Sequence, residues 1–167
     1  MNKVLDSFGG LAEMLVADNV RLVVNLETAM GFAAKVVQKD AQDRIGEYQA
    51  ETGPFPAWEP LADSTEADKA RKGFPLDAPL LRTGDMRDTI VTEHNALEAI
   101  IGSKDPVAKY QEFGTEHIPP RPFLGPAAYD SRDKVHRIIG KTAAASIGGQ
   151  PSIEAFYEME KSALTKT

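Results

Sequence analysis

Residues Leu80 to Ser103 read "LLRTGDMRDTIVTEHNALEAIIGS", and two strand-like runs inside this stretch decide the fold class. Thr89 to Glu93, with Thr89, Ile90, Val91 and Thr92 β-branched, reads as a short strand, Leu97 to Ile101 does the same, and His94-Asn95-Ala96 lies between them. That pattern predicts a β-hairpin. Just upstream, Thr83-Gly84-Asp85 predicts a tight turn, because glycine accepts positive φ and either Thr83 or Asp85 can cap the turn that follows. Such a turn aims Ile90 and its strand at the sheet.

Working outward from the hairpin, helices dominate. Val20 to Ile45 carries Leu22, Leu26, Ala29, Ala33 and Val37 at steps of four and three, with Lys35, Lys39, Asp40 and Asp43 largely off that stripe. This predicts an amphipathic helix of about seven turns. Gly31 inside it costs roughly 1 kcal/mol relative to alanine, so a close packing partner or a slight bend is expected there. A shorter helix, Leu11 to Val16, is expected to precede it, with Asp18 or Asn19 capping the longer one.

Glu51 to Pro79 is rich in proline and glycine, a loop region around one short helix in "STEADKARKG". Ser64 or Asp63 is the expected cap and Gly73 the expected end. Loops this long in a compact domain usually bind something. Trp58 sits in this region, where it either folds back on the core or meets another molecule.

After the hairpin, "DPVAKYQEFGT" allows one or two helical turns closed by Gly114. Tyr110 and Phe113 fall on one face of it, expected beneath the sheet, while Glu112 and Thr115 face outward or satisfy nearby backbone amides. A long helix with Pro126 at its start carries Ala127, Val135, Ile138 and Ile139 on one side, and Gly148-Gly149 ends it. The last segment has Pro151, Ser152 as a cap, and an apolar patch of Ile153, Phe156 and Tyr157. The whole reads as α+β: long N-terminal and C-terminal helices packed on a small antiparallel sheet, with a long loop region. One domain covers residues 1–150, and a C-terminal helical extension covers 151–167.

Composition narrows the function classes. The 167 residues suffice for one domain with a sizeable core. There is no cysteine, so no disulfide and no thiolate chemistry. "MNKVLDSFGG" lacks the apolar run of a signal peptide and no segment suits a bilayer, so a soluble protein made in the cytoplasm is expected. A net charge of −6 argues against a general grip on nucleic-acid phosphates. His94, His117 and His136 lie in different elements and carry no zinc-type spacing. Neither a GxSxG elbow nor a phosphate loop is present. Carboxylate pairs such as Glu112 with Glu116, or Asp85 with Asp88, arise by chance among 25 acidic residues. Neither catalysis, nor a cofactor, nor a metal is expected.

Tyr110 to Ala127, "YQEFGTEHIPPRPFLGPA", is the stiffest part of the chain. Pro119, Pro120 and Pro122 fix three φ angles and bias the residues before them to extended conformations. The result is an arm from Ile118 to Phe123 that loses little entropy on docking. Arg121 is then a rigidly presented guanidinium for a carboxylate or a carbonyl. Phe123 and Leu124 are apolar anchors, assigned to the chain's own core.

Three stretches resemble the minor structural proteins of tailed bacteriophages. "LLRTGDMRDTI" is similar to their L-x-T-G-x-L-R-x-S-I pattern, with Met86 for leucine and Thr89 for serine. Tyr110, Glu112, Phe113, Gly114 and Thr115, then Pro120, Arg121, Pro122, Phe123, Leu124, Pro126 and Ala127, match their Y-x-x-F-V-E-[FY]-G-T…P-x-R-P-F-L-x-P-A pattern. "WEPLADSTEADKARKG" is similar to a segment of the virion-morphogenesis proteins of Mu-like phages. The resemblance spans roughly Trp58 to Ala128.

It implies a neck or tail-completion protein at the head–tail junction of a virion, assembled in the host cytoplasm. Such a protein forms a ring with itself and meets neighbouring neck, head-closure and tail proteins. DNA passes only as cargo through the lumen, and no membrane is involved. The motif residues are Thr83, Gly84, Arg87, Tyr110, Phe113, Gly114, Pro120, Arg121, Pro122, Phe123 and Leu124. The candidate subunit interface is Trp58, Phe74, Arg121, Phe156 and Tyr157. A tail terminator or head-closure protein is the sibling reading, and a small cytosolic enzyme using clustered carboxylates is the competitor from another class.

Overall fold

No glycine or proline interrupts Leu11 to Met30, so nothing stops a helix once it starts. In a computed structural model of the chain, which describes residues 7–147, one helix α1 (Phe8–Asp43) runs unbroken for 36 residues, about 54 Å. Ser7 caps it, its Oγ accepting the Gly10 amide at 3.2 Å. The expected break at Asp18 or Asn19 is therefore corrected. Asp18 pairs with Arg21 one turn on, and the Asn19 amide donates to Leu15 O at 2.9 Å. Extending a formed helix adds a hydrogen bond per residue, whereas stopping and restarting needs a second nucleus.

Short helix α2 (Asp63–Lys72) follows the first part of the loop region. Its N-cap is Ala62 rather than Ser64 or Asp63, and no side chain bonds the cap. Asp63 and Glu66 in the first turn and Lys69, Arg71 and Lys72 in the last complement the helix dipole instead. Gly73 closes it. The Thr83-Gly84-Asp85 turn leads into α3 (Asp85–Asp88), with Gly84 at φ +96°. The Thr83 hydroxyl donates to Asp85 Oδ2 at 2.7 Å.

Strands β1 (Ile90–His94) and β2 (Ala99–Ser103) pair antiparallel, from Ile90 opposite Ser103 to His94 opposite Ala99. They lie within two residues of the expected hairpin. The pair packs on α1, where the Gln38 amide donates to Ile90 O at 2.6 Å. Gly31 is the close approach the sequence anticipates: a Cβ there would lie 2.5 Å from His94 Nε2.

Helix α4 (Pro106–Phe113) is capped by Asp105, which accepts the Val107 amide at 2.8 Å, and ends at Gly114. Helix α5 (Leu124–Ile147) then returns along α1. Arg44 bonds Asp130 at 2.6 Å at one end of the pair, and Asn25 Nδ2 donates to Ser146 Oγ at 2.9 Å near the other. The two helices are therefore antiparallel. Between these ties the seam is built from small residues: Ala29, Ala33 and Ala41 against Ala127, Ser131, Thr142 and Ser146, all buried. The main core gathers Val37, Ala41, Ile45, Trp58, Ile90, Ala108, Phe123 and Ala127. Since α5 reaches Asn25 near its described end, residues 8–24 of α1 run on past it. The expected helix end at Gly148-Gly149 and the 151–167 extension lie outside the described residues.

Candidate functional site

The proline-rich arm is held at three points, each dictated by a polar group that needs a partner. Glu112, near the end of α4, aims its carboxylate at the start of α5. Oε2 accepts the amides of Phe123 and Leu124 at 2.8 and 3.0 Å, and Oε1 accepts that of Gly125 at 2.8 Å. These are amides that an α-helix leaves without partners, and a negative charge there also meets the positive end of the dipole. Trp58 Nε1 donates to Pro122 O at 3.0 Å. Arg121 Nη2 donates to the carbonyls of Glu59 and Pro60 at 3.0 and 3.1 Å, while its amide donates to Gln111 O at 2.7 Å. Arg121 thus binds backbone carbonyls, one of the two kinds of partner the sequence allows it.

Gly114 sets the entry to the arm. Its φ is +72°, and a Cβ there would sit 2.9 Å from both Ile118 O and Pro120 N. Phe123 is fully buried and Leu124 packs against the same core.

Several placements correct the sequence expectations. Tyr110 and Phe113 do not pack beneath the sheet; they are 51% and 75% exposed. An eight-residue helix has one inward face, and Ala108 with Glu112 takes it, because Glu112 must reach the α5 amides. Residues 107, 110 and 113 then turn outward. Trp58 and Arg121, named as subunit contacts, are 5% and 6% exposed and are used inside this chain. Phe74 is half-buried beneath the Arg82 guanidinium, 5.5 Å from its ring centroid. Phe156 and Tyr157 lie outside the described residues. Arg87 pairs with Asp88 at 3.2 Å on the surface.

The two sequence motifs meet at one cavity of about 670 Å³. Thr83, Gly84 and Asp85 form one wall, and Gln111 with His117 to Pro119 and Arg121 form another. Lys69, buried here, was not anticipated. Its Nζ donates to Ala78 O at 2.5 Å, and burial, then the nearby Arg82 charge, push its ammonium below the usual lysine range. The charged groups around the cavity are largely engaged by the fold. Asp85 bonds Thr83, Asp105 caps α4, and Arg82 bonds Asp68 at 3.2 Å. Among the described residues no group of three or more His, Asp or Glu side chains is placed to hold a metal ion. No helix among them is long and apolar enough to cross a membrane.

The architecture is that of an α+β scaffold whose polar groups brace its own loops. Comparison with known sequences agrees with the motifs: the model of the phage virion morphogenesis family matches residues 4–142. The chain belongs to that family, one of phage structural and assembly proteins. It is also 34% identical over 90 residues to the Mu-like prophage FluMu G protein 2 of Haemophilus influenzae. That match takes in 50% of this chain and 57% of the relative, so the chain spans little more than half of the curated relative's length. No solved structure matches.

Proposed function

We propose that the protein is a structural component of the head–tail junction of a phage or prophage particle, forming a ring in the neck or completing the tail. The observation that carries this reading is the family match over residues 4–142, which includes both motifs. The arm fits the role. Bound through Glu112, Trp58 and Arg121, it is a stiff connection between hairpin and α5, and a subunit of a ring needs a shape that does not yield when copies press together. Closed rotational symmetry requires heterologous contacts, in which different patches meet.

Charge supports the same reading. A net charge of −6 suits a lumen along which duplex DNA slides, because phosphates gain nothing from acidic walls. A surface-potential map of the assembled ring with a strongly basic lumen counts against this part.

Deleting the gene and imaging lysates by electron microscopy tests the role. Filled heads lying apart from free tails support it; intact infectious particles refute it. The sibling reading, a tail terminator or head-closure protein, is distinguished by which structure is left unfinished. An enzyme using clustered carboxylates would need Asp85 or Asp105 at the cavity to act on a substrate. Under the structural reading, Asp85→Asn leaves particle yield unchanged.

A further inference from the structure

Two apolar faces of the described chain have no partner within it. On α1, Glu13, Val16, Val20, Val23, Val24 and Glu27 recur at steps of three and four and share the face turned away from α5. The four valines are 51–64% exposed. Leu11, Met14, Leu22 and Leu26 line the other side, so this half of α1 carries an apolar stripe on each of two sides, with polar residues such as Asp18, Arg21 and Asn25 between them. On α4, Val107, Tyr110 and Phe113 are 47%, 51% and 75% exposed. Beside them, Ser103, Pro106, Phe113 and Leu124 border a shallow cleft of about 490 Å³.

These faces lie at opposite ends of the α1–α5 pair. Glu112 ties α4 to the first residues of α5, whereas the bare part of α1 begins where α5 reaches Asn25 near its described end. The 24 residues of α5 separate them by about 36 Å. Their charges are complementary. Exposed Glu13 and Glu27 bracket the valines, while exposed Lys104 and Lys109 flank the cleft, whose two carboxylates, Asp105 and Glu112, are taken up by backbone amides of α4 and α5. Two α1 faces brought together would instead set glutamates against glutamates.

We infer that the N-terminal half of α1 in one copy docks on the α4 face of a second copy, its valines against Tyr110 and Phe113 and its glutamates near Lys104 and Lys109. The contact is head-to-tail and heterologous, so repetition builds a ring if the rotation closes and a filament if it does not. This inference deepens the ring reading above and supplies the contact that reading requires. It gives the motif aromatics Tyr110 and Phe113 an intermolecular role in place of a core one.

The cysteine-free chain allows a direct test. Val20→Cys and Phe113→Cys variants of the full chain are purified, checked by circular dichroism, and oxidised mildly, separately and mixed. The mixture is expected to give several-fold more cross-linked dimer than either variant alone. One chain carrying both substitutions is expected to give a ladder of higher oligomers. Adding Glu13→Lys and Glu27→Lys to the Val20→Cys partner weakens the cross-link, and Lys104→Glu with Lys109→Glu on the other restores it. Equal cross-linking of either variant with itself, or none in the mixture up to millimolar protein, overturns the contact. A failed cross-link alongside separated heads and tails in the deletion lysate removes this contact and leaves the junction role. A cross-link alongside intact particles does the reverse.

Discussion

Glu112 holds the start of the helix that Phe123 introduces: its Oε2 accepts the Phe123 amide at 2.8 Å, across eleven residues of proline-stiffened chain. Because the same carboxylate also takes the amides of Leu124 and Gly125, its loss strands three donors at a partly buried helix end. Glu112→Ala is expected to destabilise the fold by about 1–3 kcal/mol. For a chain of this size, ~2 kcal/mol corresponds to a fall in Tm of about 4–8 °C. Glu112→Gln, which keeps one acceptor oxygen, is expected to fall between wild type and Glu112→Ala in urea denaturation.

Trp58 and Pro122 form the second tie. Trp58→Phe keeps most of the buried ring but leaves the Pro122 carbonyl without its donor, and a cost of about 1–3 kcal/mol is expected. As the chain's one tryptophan, Trp58 also reports its own environment. Its fluorescence is expected to resist iodide quenching in the folded monomer and become quenchable on unfolding. Ready quenching in the folded monomer would mean the side chain lies at the surface after all.

Two glycines are expected to differ sharply. At Gly114 a methyl group meets backbone atoms, Ile118 O and Pro120 N, and must adopt φ +72°. Gly114→Ala is expected to cost about 2 kcal/mol or more, since the left-handed conformation alone costs an L-residue about 1–2 kcal/mol. At Gly31 the methyl meets only the tip of the exposed His94 side chain. That side chain can turn aside, and alanine gains about 1 kcal/mol of helix propensity. Gly31→Ala is expected to be neutral or mildly stabilising by the same denaturation assay.

Much of this was legible in the sequence because the relevant signals are local. Two short strand-like runs around His94-Asn95-Ala96 marked the hairpin to within two residues, and glycine marked the ends of α2 and α4. The stripe through Ala29, Ala33 and Val37 marked the α1 side that receives α5. Proline content marked the arm, and Glu112 already stood between a solvated and an amide-binding reading. What escaped depends on tertiary choice. Ala108 and Phe113 compete for the inward side of the same short helix, and only the position of the α5 amides decides between them. Lys69 reads as an ordinary surface lysine of an amphipathic turn until the Ala78 loop folds over it. The missing break at Asp18 reflects a weak local preference overridden by helix continuity.

Asp68 provides a pH test. Bonds from Lys72 first, then Arg71, hold its carboxyl down to about 2, below its ordinary value of roughly 3.9 in unfolded chains. A folded value below the unfolded one means the contribution is fully present above the unfolded range. It is lost as pH falls through about 2. The stability gap between wild type and Asp68→Asn is therefore expected to be largest above about pH 5 and to close towards pH 2. The Asp68 carboxylate is partly exposed and its partners Arg71, Lys72 and Arg82 more so, so 1 M salt should shrink the gap at every pH.

The α1 helix meets two different fates along its length, and paired substitutions separate them. Ala33 is 2% exposed in the seam with α5, beside Ile138 at 1%. Ala33→Leu forces extra methylenes between two helices held at close range by small residues, and a loss of about 1–3 kcal/mol is expected. Val20, on the outward face, is 59% exposed, and Val20→Ser is expected to change monomer stability by less than about 0.5 kcal/mol. Denaturation melts of the two variants check both values. A large loss for Val20→Ser would mean that this face is already buried within the single chain, whereas a negligible loss for Ala33→Leu would mean that α5 does not lie along α1 as described.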